Sequence, residues 1–164
     1  MIAPVPSVRV SVSSSFLTWS LVSYLRRTFA SRAWAAQERA QVIEALDQFL
    51  DDQVTPLLSS VALPSTLVGA GGTPVFLSRI LKETDDLDAA KLETLSWLLP
   101  DVQSLTDRLW MMSLERRQSL AGLPADRADV ILFGAAIYEA VMMRCGFHEL
   151  RPTMRGVRYG SLLS

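Results

Sequence analysis

The chain has 164 residues and a mass of 18.1 kDa, with 49% apolar residues, 20% charged residues and a formal net charge of −1. That length and composition describe one folded domain with a real core, and the near-zero charge excludes nucleic-acid binding by overall electrostatics. One cysteine, Cys145, and one histidine, His148, exclude an internal disulfide, a cysteine cluster for zinc and a multi-histidine metal site, and they fit a cytoplasmic protein.

In chain order, Met1 to Pro6 is proline-spaced and reads as loose. "SVRVSVS" alternates Val8, Val10 and Val12 against serine and arginine, the period of a half-exposed strand. "LTWSLVSYLRRTFASR" fits a strand followed by a helix. The uncharged run Val10 to Leu25 holds six serines. It is shorter than the roughly 20 mostly apolar residues of a membrane helix. The Arg26-Arg27 pair follows the apolar stretch, where an export signal wants its charge in front. The expectation is a chain that does not enter a membrane.

"AAQERAQVIEALDQFLDDQVTPLL" reads as an amphipathic surface helix with Ala36, Ala40, Ile43, Leu46 and Leu50 on its apolar face, ending near Pro56. Pro64 opens a short strand, "STLVGA", that runs into Gly71-Gly72-Thr73. From there the chain reads helical nearly to its end. Pro74 stands in the first turn of the next helix, where proline is tolerated. Asp88 is the predicted N-cap of "DDLDAAKLETLSWLLP". "PDVQSLTDRLWMMSLERRQSLAGLP" holds one or two helices closed by Gly122 and Pro124. "PADRADVILFGAAIYEAVMMRCG" is predicted as the longest helix. It is uncharged between Asp129 and Glu139, so it is buried nearly all round, with Gly134-Ala135-Ala136 admitting a close neighbour and Gly146 as its C-cap. "HELRPTMRG" is a predicted last strand and "VRYGSLLS" a final helical turn.

Three stretches are candidates for binding. A strand–glycine–helix join such as Val68 to Thr73 can cradle phosphate on backbone N–H groups, and it can equally be a tight packing turn. It is not a Walker loop, because no Gly-Lys-Ser/Thr follows, and not a dinucleotide fingerprint, because Pro74 occupies the third glycine's place. Pro124-Ala125-Asp126 makes a helix start with Arg127 on it, which is either a charged first turn or a cation facing a cleft beside the glycine turn. Arg144, Arg151, Arg155 and Arg158, offset by Glu149, form either a solvated surface or a polyanion patch. The basic residues as a whole are 14 arginines against only Lys82 and Lys91; arginine suits phosphate oxygens, and a GC-rich genome yields the same bias.

The carboxylates offer no base: Glu38, Glu44, Glu83, Glu93, Glu115 and Glu139 mostly sit beside arginine or lysine on helix faces, away from apolar surroundings that would raise a pKa. Cys145 reads as a small core residue. His148 lacks an orienting acid and a nucleophile elbow. The residues by themselves give a candidate phosphate-binding edge, with a packing turn as the alternative, and no chemistry.

Two separated motifs resemble a known family. "LVGAGGTPVFLSRI" is similar to the Val-Gly-x-Gly-Gly-Thr segment of the exopolyphosphatase/guanosine pentaphosphate phosphatase (Ppx/GppA) family. "SLERRQSLAGLPADRADVILFGAAIYEAVM" resembles the later signature of that family, and "MRGVRYGSLL" its closing segment. The resemblance implies an α/β, ribonuclease H-like, actin-type lobe with a small sheet and many helices. Residues 20–164 would form the second lobe of the catalytic core, and residues 1–19 a loose segment unlike the family. It further implies that Gly71, Gly72, Thr73 and Arg127 face polyphosphate, guanosine pentaphosphate or nucleotide, that no catalytic residue lies in this chain, and that Mg²⁺ serves the whole family. The family's first lobe carries an Asp-x-Gly-Ser-x-Ser loop and a catalytic Glu, and an Asp-x-Gly-Gly-Gly-Ser loop follows. None of these is in this sequence, where Gly69 is the first glycine. The resemblance therefore implies a lobe that is inactive alone, completed by a separate first lobe or paired as a homodimer. The alternative is a stand-alone module that binds polyphosphate, nucleotide or protein without catalysis.

Overall fold

The computed structural model describes residues 36–58 and 66–155. The predicted strand over Val8–Val12, the segment 17–32, Pro64 and the final turn after Gly156 lie outside them. The described elements run α1 (Ala36–Gln53), α2 (Thr55–Leu58), β1 (Thr66–Ala70), α3 (Gly72–Lys82), α4 (Ala89–Glu93), β2 (Trp97–Leu98), α5 (Leu99–Met111), α6 (Leu114–Gln118), a 3-10 turn (Ala125–Arg127), α7 (Ile131–Cys145) and β3 (Glu149–Thr153).

The last strand lies in the middle of the sheet. β3 pairs in parallel with β1, Leu67 opposite Leu150 and Gly69 opposite Pro152, and antiparallel with β2, Trp97 opposite Leu150. Two parallel strands need a long crossover, and here α3 to α7 supply it. The strands alternate in burial, so Leu67 and Leu150 point into the core while Val68 and Arg151 face outward.

Helix α7 is the centre of the core. Ile131 through Ala136 are all buried, as are Tyr138, Ala140 and Met142. α1, α3 and α5 pack around it, which bears out the reading of a helix buried on nearly every side. Gly146 ends it in the left-handed conformation, as expected. It is shorter than predicted: residues 125–130 are a 3-10 turn and further turns, and α1 outruns it.

Three other expectations change. The buried stripe of α1 is Val42, Leu46 and Leu50, while Ala40 and Ile43 are exposed. Two apolar rows overlap in that sequence, and contact with α7 selects the one carrying Val42. Asp88 does cap a helix, its carboxylate accepting from the Lys91 N–H at 2.7 Å, but α4 stops at Glu93 and Trp97–Leu98 become a strand. Tertiary pairing with β3 overrides local helix preference there. Glu139 is the third. Set in α7, it is desolvated and its carboxyl is pushed above the usual glutamate range, with Thr106 and Arg39 opposing that rise and Asp107 adding to it. Sequence reasoning placed it on a helix face without the apolar surroundings that raise a pKa.

Arg117 is a buried charge, only 3% exposed. Its Nε donates to the Ala128 carbonyl at 3.0 Å, and one Nη to the carbonyls of Leu109 at 3.2 Å and Met112 at 2.7 Å. Leu109 and Met112 end α5, where carbonyls lack helical partners and the helix dipole is negative. The cation satisfies them and ties α5 to the segment entering α7. Arg117→Met removes the donor to the Ala128 and Met112 carbonyls, leaving Leu109 only the Met112 N–H, and is expected to lower unfolding free energy by about 3 kcal/mol. Arg116→Met, on the exposed side, changes it by less than about 0.5 kcal/mol in the same denaturant titration.

Because the pKa of Glu139 is higher folded than unfolded, the unfolded chain gives up that proton first as pH rises. The contribution of this group to stability is therefore greatest in acid and falls as pH climbs through its folded pKa. Glu139→Gln removes that dependence: melting temperature rises at neutral pH, and the gain vanishes below the ordinary glutamate pKa of about 4.3. A gain that persists unchanged into acid would show that desolvation of the charge is not its cause.

Candidate functional site

The glycine turn joins β1 to α3. Gly71 has φ 104° and ψ −169°, a conformation essentially confined to glycine. It stands where a helix N-cap would be and has no side chain to offer, so α3 begins without a side-chain cap and without an acidic residue in its first turn. Gly71 and Gly72 are exposed. Pro74 lacks an N–H, so the orphan donors at this end are those of the glycines and Thr73. The helix dipole adds partial positive charge at that spot. Phe76 lies against Gly72, within 3.2 Å of where a Cβ would stand.

Thr73 is half-buried, and its side chain is turned towards α7. A Cβ built on Gly134 would lie 2.5 Å from Thr73 Cγ2 and 3.2 Å from its Oγ1. Residue 73 therefore presents its backbone N–H to the opening and its side chain to the core.

The 3-10 turn carries Arg127, whose side chain is 49% exposed and pairs with Asp126 at 3.6 Å. Its link to the glycine turn runs through α7. The Val130 N–H donates to the Arg127 carbonyl at 3.2 Å and the Gly134 N–H to the Val130 carbonyl at 3.1 Å, and Thr73 rests on Gly134. Gly71, Gly72 and Thr73 thus form one edge, and Arg127 stands on the chain that enters the helix behind it.

The other candidates have ordinary partners. Arg144 pairs with Asp51 and Asp47, Arg151 with Glu149 at 3.1 Å, and Arg155 with Glu93 at 3.0 Å. These pairs neutralise the described part of the C-terminal basic cluster; Arg158 lies outside the described residues. Cys145 is half-buried against the core, and burial raises its thiol pKa. Sequence reasoning missed Arg117 as a residue that shapes this region, while Gly134, read as admitting a close neighbour, does receive one in Thr73.

Among the described residues, a three-stranded mixed sheet packed with helices, opening at a strand–glycine–helix turn, has the fold of a lobe of the actin-like ATPase type. The chain matches the Ppx/GppA phosphatase family over residues 10–164, and it belongs to that family. In solved structures it is similar to the Ppx/GppA enzyme of Aquifex aeolicus, with a TM-score of 0.75 and 22% identity over 87% of this chain and 46% of that one. An exopolyphosphatase-like protein gives a TM-score of 0.71 at 16% identity over 87% of this chain and 47% of the other. The exopolyphosphatase of Cytophaga hutchinsonii gives 0.56 at 22% identity over 74% and 40%. Among curated proteins none matches it. The chain spans less than half the length of these structures.

Gly71→Ala forces a side chain into a glycine-only conformation and is expected to cost about 1–3 kcal/mol of stability. The corresponding change at Gly72, whose Cβ would meet only the ring of Phe76, costs less than about 1 kcal/mol by the same thermal measurement.

Proposed function

We propose that this chain supplies the second lobe of an exopolyphosphatase- or guanosine pentaphosphate phosphatase-type phosphoanhydride hydrolase, and that it holds phosphate oxygens along the Gly71–Gly72–Thr73 edge with Arg127 beside them. The observation that carries this is the bare N-terminus of α3: exposed glycines, no side-chain cap and no acid in the first turn. Such donors are fixed before the ligand arrives, so they stabilise anionic oxygen without reorganising. Arg127 adds a full charge able to meet two oxygens at once.

Hydrolysis also needs a base and, in the family, Mg²⁺. Among the described residues no three carboxylate, histidine or cysteine side chains gather where an ion could sit. The donor set does not fit the metal, and no step is derived through it. In this reading the lobe orients and neutralises the phosphate chain, while base and metal belong to a complementing lobe, in the cytoplasm. A stand-alone polyphosphate-binding module is the second reading, favoured by the same bare helix end beside a chain with no metal-holding group among its described residues.

Titration with tripolyphosphate in a calorimeter tests the assignment. Arg127→Ala is expected to weaken binding about tenfold, the loss of one charge-assisted contact, and Arg108→Ala on the exposed side of α5 less than about twofold. Equal losses would mean diffuse surface attraction and would remove Arg127 from the site. Phosphate release by the chain alone, without any second lobe, would overturn the division of labour.

A further inference from the structure

We propose that Thr73 acts at this edge as a positioning residue through its side chain, wedged onto Gly134 of α7, and that its hydroxyl is not a ligand contact. The proposal rests on the reading of the edge as an anion site.

Two residues on one face of α7, Gly134 and Tyr138, stand four apart and so lie one above the other. Each bears on one arm of the glycine turn. Tyr138 lies over Gly69, where a Cβ would be 3.0 Å from its ring, at the end of β1. Gly134 takes Thr73 at the start of α3, with both the methyl and the hydroxyl of the threonine against it. The turn therefore straddles a single helix face, with Ala70–Gly72 spanning between the two supports.

Contact at Gly134 leaves no slack. A Cβ there would stand 2.5 Å from the threonine methyl, closer than atoms can pack. Threonine is branched at Cβ and cannot swing clear, and Pro74 fixes the next φ, so the displacement passes into the first-turn backbone. That turn is also held on its other side. The Trp97 indole N–H donates to Ser78 Oγ at 2.9 Å, and Ser78 Oγ donates to the Pro74 carbonyl at 2.8 Å. Held from both α7 and β2, the N–H groups of Gly72 and Thr73 keep one direction.

The test measures tripolyphosphate affinity and amide exchange of Gly72, Thr73 and Val75 in the full chain. Thr73→Val keeps both branches and loses the hydroxyl; affinity is expected to stay within about twofold of the parent. Gly134→Ala is expected to weaken binding about tenfold, the loss of one well-aligned charge-assisted hydrogen bond, and Gly134→Ala with Thr73→Ser to recover most of it. A Thr73→Val variant as weak as Gly134→Ala, or a double variant no better than Gly134→Ala, overturns the proposal. If Gly134→Ala does not fold, Thr73→Val decides. If the unaltered chain binds no tripolyphosphate, the functional reading falls and exchange alone decides the positioning role. Faster exchange in Thr73→Ala with none in Thr73→Val supports it, and equal rates in both overturn it.

Discussion

A helix whose first turns have no wet face must be met there on every side, and α7 imposes that demand on the elements around it. Ile131 to Ala136 are consecutive buried positions, so no periodic stripe separates an inside from an outside. α1 answers with Val42, Leu46 and Leu50, α5 with Leu105 and Leu109, and α3 with Leu77 and Ile80. The sheet closes the remaining side through Leu67 and Leu150. The helices around it keep exposed polar residues on their outer sides, so α7 is the element most committed to the interior.

Charge inside such a core has to be tied. Arg117 is accommodated because three carbonyls need its protons, and the carboxylates of Asp129 and Glu115 favour its charged form against desolvation. Glu139 is the opposite case. Burial dominates over Thr106 and Arg39, and its pKa rises. A raised carboxyl pKa in a cleft is a common mark of a catalytic acid or base. Here it belongs to a structural cluster with Arg39 and Asp107, where α1, α5 and α7 meet, away from the glycine turn.

The positions of the glycine turn and of Arg127 follow from the same helix. The arm leaving β1 rests on Tyr138 and the arm entering α3 rests on Gly134, while Arg127 sits on the 3-10 turn that leads into α7. A rigid, fully packed element behind a binding edge is how a protein fixes donors without spending flexibility near the ligand. The loops around it carry the exposed glycines and the exposed arginine; the helix carries none of them.

Much of this was legible in the chain. The uncharged run from Val130 to Tyr138 announced a buried helix, Asp88 announced a cap, and Val68–Thr73 announced a strand, a turn and a helix start, because each depends on neighbours within a few residues. The family signature was likewise a matter of local order along the chain. Only the tertiary structure decided which of two apolar rows on α1 turns inward, that Trp97–Leu98 become a strand, and that Arg117 is buried and Glu139 half-buried while Ile43 is exposed. It also decided that Thr73 points at Gly134 and not into the opening. Apart from Arg117, whose carbonyl partners stand 5 to 11 positions away, those outcomes depend on partners tens of positions along the chain, and spacing within one segment carries no information about what packs against it.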